Sequence, residues 1–361
     1  MLNLIVIAGI LLIVGILLLI FRINVLVDIA KGDEDNKETK SNAVNGALML
    51  LFLIVSFGAL FYYSVAHWDL YNLPVASEHG LVTDHLFWVT MVVTGIVFLI
   101  TQILLFWYSF KYSYKKSAKA YFFPDNAKLE LLWTIVPAVA MAILVFMGLK
   151  SWNDITDKAP ENAEQIEVMG FQFAWKVRYA GIDGELGGYD WRYIDLATGN
   201  DFGLDFNDDQ AMDDFMPRKM FLPVNRPVLL NIRARDVLHS VYLPHFRVKM
   251  DAVPGMPTKF WFVPTKTTEQ MRIETENPEF TYEMGCTEVC GRGHFSMRFE
   301  VVVLEQDEYD EWYKAQKSWA SQNQEFVNNF RGMVNAPATA KNIHAEETEE
   351  NKVEASLYNT K

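Results

Sequence analysis

The sequence predicts a membrane-embedded α-helical half followed by an all-β half, and three observations carry that prediction. Four apolar runs crowd into the first 150 of the 361 residues; after Leu149 hydrophobicity switches from continuous runs to two-residue alternation; and Pro and Gly punctuate the second half at short intervals. The chain is 51% hydrophobic and 14% aromatic with a mean hydropathy of +0.05, so the apolar excess belongs to the first half, and the second reads as water-soluble chain. This content, with only 2 cysteines, excludes a disordered, collagen-like or disulfide-framework protein. A surplus of 45 acidic over 32 basic side chains, net charge -13, argues against nucleic-acid binding and for a cationic partner.

The first run, Leu2 to Phe21, has Asn3 as its one polar side chain. At about 1.5 Å per residue it is long enough for a hydrocarbon layer about 30 Å thick. Ala47 to Ala66, Leu86 to Tyr108 and Leu129 to Leu149 are comparable, so residues 1–149 are predicted as a membrane region with spans at about 2–21, 47–66, 86–108 and 129–149. Any one run could be a buried core helix, but four leave too little polar chain to cover them. Arg22, Lys31, Lys37 and Lys40 separate the first two spans, and Lys111, Lys115, Lys116, Lys119 and Lys128 the last two; His67 to His85 has no Lys or Arg. The basic loops are therefore expected in the cytoplasm, with the N-terminus and everything after Leu149 outside. With no positive charge ahead of it, the first span reads as a retained helix and not a cleaved signal.

Beyond Leu149, Phe171, Phe173, Trp175, Val177 and Tyr179 alternate with Gln172, Ala174, Lys176 and Arg178, the pattern of a strand covered on one side. Val228 to Ala234, Met271 to Glu274 and Phe299 to Leu304 also read as strands, separated by turn signals such as Pro244 and Pro254-Gly255. Short strands without helical patterns between them predict a sandwich or barrel over 150–304. Within it, 183–214 holds ten acidic residues against one Arg and reads as an acidic insert, a surface suited to a basic partner or merely a solvated loop. Tyr309, Trp312, Tyr313, Trp319, Val327 and Phe330 at helical spacing predict one C-terminal helix over 305–333, and the polar 334–361 a disordered tail.

The chemistry concentrates in Cys286-Thr-Glu-Val-Cys290-Gly-Arg-Gly-His294-Phe-Ser-Met297. Two thiols, an imidazole and a thioether within twelve residues form a soft donor set, and a Met ligand favours copper. His239, in Asp236-Val-Leu-His239-Ser240, stands near a strand end from which a second imidazole can reach the same site. Four readings compete. A disulfide leaves His294 and Met297 unused, structural zinc has little use for a thioether, and a mononuclear copper centre leaves one Cys idle. A copper pair bridged by both thiolates uses all five side chains. The other histidines, His67, His79, His85, His245 and His344, form no ligand spacing, and no C-x-x-C-H for covalent haem is present.

Over residues 85 to 320 the chain resembles the cytochrome c oxidase subunit II family of haem-copper oxidases. The matching motifs are C-x-E-x-C-G-x-x-H-x-x-M at Cys286 to Met297, V-L-H-S at Val237 to Ser240, K-x-D-A-x-P-G at Lys249 to Gly255 and L-E-x-x-W-T-x-x-P-A at Leu129 to Ala138. The resemblance implies that the four predicted spans, two more than the family's usual two, are followed by a cupredoxin-like Greek-key barrel that holds a binuclear copper A centre; Leu2 to Phe21 and Ala47 to Ala66 have no counterpart in the motif match. Cys286 and Cys290 would bridge the coppers, His239 and His294 would cap them, and Met297 and the Glu288 carbonyl would be the weak ligands. It further implies magnesium on the Glu288 side chain at the interface with subunit I, and Glu130 at the mouth of a proton path. As a subunit of this proton-translocating enzyme the chain would take electrons from cytochrome c, or from a cytochrome c domain of a larger assembly, and pass them to haem in subunit I for oxygen reduction. Subunit III is a further expected partner, and the bacterial inner membrane, with the C-terminal domain periplasmic, the expected location. The family pattern G-x-Q-W-x-W is altered to Gly170-Phe-Gln172-Phe173-Ala174-Trp175, so the aromatic through which electrons enter is Phe173 in place of Trp, or Trp175, or another ring.

Overall fold

The computed structural model describes residues 2–30, 34–113, 119 and 121–334. The tail expected over 334–361, apart from Val334, and the loop lysines Lys31, Lys115 and Lys116 lie outside the described residues. The chain divides into two compact units, residues 1–72 with 86–145 and residues 73–85 with 146–361.

The first unit is helical: α1 (Leu2–Ala30), α2 (Glu34–Ala66), α3 (Trp68–Tyr71) and most of α4 (Glu78–Lys111) and α5 (Ala127–Thr156). Each long helix extends past the apolar run that predicts it, because backbone hydrogen bonding continues through flanking polar residues. Asn126 starts α5 by accepting the Leu129 N–H at 3.1 Å, three residues ahead of the expected start. Among the described residues, Asn42–Ala66, Glu78–Lys111 and Ala127–Thr156 are long and apolar enough to cross a membrane. The corresponding stretch of α1, Leu11–Val27, is shorter, so three of the four expected spans meet the criterion. Hydroxyls inside α4 are satisfied by the helix itself: Thr90, Thr94, Thr101 and Ser109 each donate to the carbonyl four residues earlier at 2.8 Å. Phe52 on Phe106 and Phe57 on Phe98, at 5.6 and 5.9 Å, pair α2 antiparallel with α4.

The second unit is built on two sheets. One has the order β2-β1-β4-β7, from β1 (Glu164–Phe171), β2 (Ala174–Tyr179), β4 (Val228–Ala234) and β7 (Thr258–Phe262). The other has the order β3-β9-β8-β5-β6, from β3 (Met220–Pro223), β5 (His239–Leu243), β6 (Val248–Ala252), β8 (Tyr282–Cys286) and β9 (Arg298–Leu304). Pairs β1–β4 and β3–β9 are parallel and the rest antiparallel. Ile166, Val168, Trp175, Val177, Leu230, Ile232, Val241, Met284 and Val301 fill the space between the sheets. Residues 73–85 join this unit through Arg247, whose guanidinium donates to both Asp84 carboxylate oxygens at 2.7 and 2.9 Å.

Four expectations are corrected here. The alternation over 171–179 is not one strand but the end of β1, a turn at Gln172-Phe173 and β2, with Phe171 paired to Ala174. Met271 to Glu274 lies in α6 (Thr268–Glu274), because Thr267 and Gln270 form a reciprocal capping box that starts a helix. The single C-terminal helix is three, α7 (Gln306–Lys314), α8 (Trp319–Gln322) and α9 (Gln324–Val334). Finally, the acidic insert is no solvated loop. Its Phe202, Leu204, Phe206 and Ala211 are buried against Met169 of β1 and Ala320, Val327 and Phe330 of α8 and α9, a second core on the outer face of the first sheet.

That second core explains where the acidic charge goes. Arg178, fully buried, pairs with Glu167 and with Asp214 at 2.6 Å, while Arg233 also pairs with Glu167. Asp201 takes Lys176 and Arg235. Asp183, Asp195, Asp205 and Asp208 accept backbone N–H groups of the insert's own turns. The strand expected to be covered on one face is therefore covered on both.

Candidate metal centre

His239 opens β5 and Cys286 closes β8, and these strands pair with Val241 opposite Cys286. The chain then loops through Cys290, His294 and Met297 before β9 begins at Arg298. The Cys286 sulfur lies 3.8 Å from His239 Nδ1 and 3.3 Å from the Glu288 carbonyl oxygen. The Cys290 sulfur lies 3.6 Å from His294 Nδ1 and 3.3 Å from Met297 Sδ. One ring nitrogen of His239 and both sulfurs fall within 4.8 Å of one another. Both cysteines are free thiols, so the disulfide reading does not describe this structure.

The donors are held from behind. His239, fully buried, bonds through Nε2 to Asp236 Oδ1 at 3.0 Å, which turns Nδ1 toward the sulfurs. Burial pushes the Asp236 carboxyl up, but hydrogen bonds from the Gln172 N–H, His239 and the Val237 N–H outweigh it and hold the group below the usual carboxylate range. The Gln172 side-chain amide donates to the Cys290 carbonyl at 2.6 Å, and the Trp175 indole N–H to the Met297 carbonyl at 3.3 Å. Gly170 is needed beneath them: a Cβ there would stand 2.8 Å from the Trp175 ring and 3.1 Å from His239. Gly291, at φ +130, likewise leaves room for the Phe173 ring, which a Cβ would meet at 2.8 Å.

Burial and the neighbouring Cys286 push the Cys290 thiol up to about 11. A thiol raised in this way is a thiolate at neutral pH only when a cation compensates it. With two imidazoles, a thioether and a carbonyl facing the same sulfurs, the donor set fits soft copper ions, whereas structural zinc would leave the thioether and carbonyl unused.

The structure brings the six expected groups together pairwise, His239 and the Glu288 carbonyl at the Cys286 sulfur and His294 and Met297 at the Cys290 sulfur. The other site candidates do not join them. Trp175 is buried behind the centre, Phe173 packs beneath the 291–293 loop, and the partly exposed Glu288 carboxylate makes no ion pair among the described residues. Glu130 is exposed in the first turn of α5, in the other unit, where the positive end of the helix suits a carboxylate in any case. Sequence reasoning missed Asp236 and Gln172 as supports, although both stand inside the runs that supply His239 and Trp175.

Known proteins are similar to this chain in sequence. The family model described as "Cytochrome C oxidase subunit II, periplasmic domain" matches residues 165–305, and the one described as "Cytochrome C oxidase subunit II, transmembrane domain" matches residues 66–154. Helix α1 and nearly all of α2 precede both matches. The chain is 32% identical over 276 residues to "Alternative cytochrome c oxidase subunit 2" of Bradyrhizobium diazoefficiens, covering 76% of this chain and 93% of that protein. It is 29% identical over 234 residues to cytochrome c oxidase subunit 2 of Cereibacter sphaeroides, covering 62% of this chain and 72% of that one. The crystal structure of the periplasmic domain of subunit II of cytochrome oxidase of Bradyrhizobium japonicum is similar at 22% identity and a TM-score of 0.29, covering 44% of this chain and 95% of that one. On this evidence the chain belongs to the cytochrome c oxidase subunit II family.

Proposed function

We propose that the chain is the electron-accepting subunit of a respiratory cytochrome c oxidase, and that Cys286, Cys290, His239, His294, Met297 and the Glu288 carbonyl hold a binuclear copper A centre. The observation that carries the reading is the convergence of these six donors, with sulfur to nitrogen or oxygen separations of 3.3 to 3.8 Å. When bound, such a centre supplies one-electron transfer between cytochrome c and the haem of subunit I, where oxygen is reduced to water with proton translocation. This chain's own residues keep the donors still. Asp236 fixes the ring of His239, Gln172 and Trp175 tie down the Cys290 and Met297 carbonyls, and strand pairing fixes Cys286. A donor set held this way changes little in geometry between redox states, which keeps the barrier to electron transfer small.

The same reading takes the two-sheet domain as a cupredoxin-like Greek-key barrel, supported by its nine-strand order. It takes α1 as a fourth span beside the three that meet the length criterion, with the β domain on the periplasmic side of a bacterial inner membrane. Glu288 would bring its carboxylate, a hard oxygen donor, to magnesium shared with subunit I. Glu130 would stand at the cytoplasmic mouth of a proton path. Subunits I and III, and cytochrome c or a cytochrome c domain of a larger assembly, are the partners. Phe173, at the family position for electron entry, packs beneath the donors and Trp175 lies behind them, and their role is read as support for the centre.

Metal analysis and electron paramagnetic resonance of the oxidase purified in mild detergent test the proposal. Two coppers per chain sharing one unpaired electron are expected. A four-line mononuclear copper signal, or a single zinc, would overturn it.

A further inference from the structure

A cavity of about 350 Å³ lies between the first residues of β1, the turn after β2 and helix α7, and Glu164, Arg226, Tyr309, Asp310 and Tyr313 stand in its wall. We infer that this cavity binds a small primary alkylammonium ion, its nitrogen held between Glu164, Asp310 and the Tyr309 hydroxyl. The site is separate from the candidate metal centre and independent of the copper reading. Glu164 opens β1, and Gly170, which underlies His239, follows about 20 Å further along the strand.

The wall holds an unmet hydrogen-bonding group. Tyr309 is 1% exposed, and its hydroxyl makes no hydrogen bond among the described residues. A buried phenol normally has a partner, and the space beside this one is the cavity. Its ring is fixed by Trp312 and Tyr313, with centroids at 5.4 and 5.8 Å.

Acceptors outnumber free donors around it. Glu164, 7% exposed, and Asp310 both bring carboxylate oxygens. Tyr313 spends its hydroxyl hydrogen on the Ala180 and Gly181 carbonyls, so toward any other group its oxygen accepts. The Arg226 guanidinium is paired with Glu164 at 3.1 Å. Asp310 accepts the Gln306 amide at 2.8 Å, a bond that leaves its charge in place. The complement of such a wall is a group rich in N–H donors.

Charge points the same way. The charged side chains of the wall are Glu161, Glu164 and Asp310 against Arg226 and Lys314. Glu161 and Lys314 are exposed at the rim, which leaves two carboxylates to one guanidinium inside. Burial, with the charge of Asp310 added to it, holds the Glu164 carboxyl above the usual carboxylate range, although Arg226 and the two phenols favour its charged form. A cation between the carboxylates relieves that conflict, and an anion would deepen it.

Size and donor type select among cations. The cavity falls in the range of small-molecule pockets, which begins near about 300 Å³, and a bare metal ion would fill little of it. Among the described residues, the group of His, Cys, Asp or Glu side chains spaced to hold a metal ion is at the candidate metal centre and not here. A primary ammonium brings N–H donors to the acceptors, while its alkyl chain can lie along the rings of Tyr309 and Tyr313.

The test uses the intact oxidase in detergent and n-butylammonium as probe, with n-butanol and butyrate as neutral and anionic controls. Calorimetry and saturation-transfer NMR are expected to show one saturable ammonium site per chain, neither control binding, and a copper spectrum that does not move. Glu164→Gln and Tyr309→Phe are each expected to weaken binding about tenfold, the loss typical of a hydrogen bond that involves a charged group, and the half-exposed Asp310→Asn several-fold. Because the Tyr309 hydroxyl has no partner to lose, Tyr309→Phe should melt at the wild-type temperature or above. No saturable binding, controls that bind as tightly as the ammonium, displacement of the ammonium by equimolar calcium, or wild-type affinity in both Glu164→Gln and Tyr309→Phe would each overturn the site.

Discussion

The metal loop, residues 286–297, and the acidic insert, residues 183–214, are both irregular segments rich in polar residues, yet they spend those residues differently. The loop turns its polar and sulfur groups inward: the Cys286 sulfur meets the His239 imidazole and the Glu288 carbonyl, and the Cys290 sulfur meets the His294 imidazole and the Met297 thioether. The insert turns its carboxylates onto its own turns and onto buried arginines, and hides an aromatic core beneath them. Charge in a sequence therefore does not imply charge on a surface. An acidic run that also carries Phe202, Leu204 and Phe206 is folding itself as much as presenting a field.

The largest expected break in this contrast is Cys290→Ser. It removes a donor that nothing else replaces, so copper should fall below two per chain and the shared-electron signal should vanish, while circular dichroism of the β domain stays unchanged. Retention of two coppers would show that Cys290 is only a buried small residue.

Arg178→Ala attacks the insert instead. It leaves Asp214 and part of Glu167 buried without their cation, a change that typically costs about 3–5 kcal/mol. Proteolysis within 183–214 should accelerate strongly while the copper signal persists. Loss of both together would mean that the two segments fold as one.

Asp236→Asn tests the support of the loop. Removing a charged partner behind a ligand histidine typically lowers metal affinity 10- to 100-fold, read by competition with a chelator, with all direct donors still present. Wild-type affinity would show that strand pairing alone orients His239.

The smallest effect concerns pH and belongs to the insert. Burial pushes the Asp214 carboxyl up to about 7 despite Arg178 beside it. Because the folded state holds this proton more tightly than the unfolded chain, its contribution to stability is present at low pH and is lost as pH rises from about 4 to 7, by at most about 1.4 kcal/mol per pH unit. Proteolysis of the insert should therefore quicken between pH 5 and pH 8 more in wild type than in Asp214→Asn. Identical profiles would assign the dependence to other groups.

Much of the architecture was legible. Runs without charge marked the helices, Val228 to Ala234 appeared as β4 with the expected bounds, and the candidate donors stood out because thiol, imidazole and thioether are rare in such density. What misled was local ambiguity. Alternation through Gln172-Phe173 concealed a two-residue turn, since the turn preserves the period of the strands around it. Met271 to Glu274 alternates well enough for a strand, and only the Thr267 and Gln270 pair three residues apart marks the helix.

The sequence by itself marked three helices long and apolar enough to cross a membrane, the strand-rich domain after them and the residues that cluster as candidate donors, because these follow from side-chain chemistry and short-range period. Only the tertiary structure decided which carboxylates are consumed, why Trp175 is buried while Trp191 is exposed, and that Asp236 stands behind His239. Each of those depends on packing between segments tens of residues apart, such as Met169 with Phe330 or Gly170 with His239, and no local pattern encodes the partner that a distant strand brings.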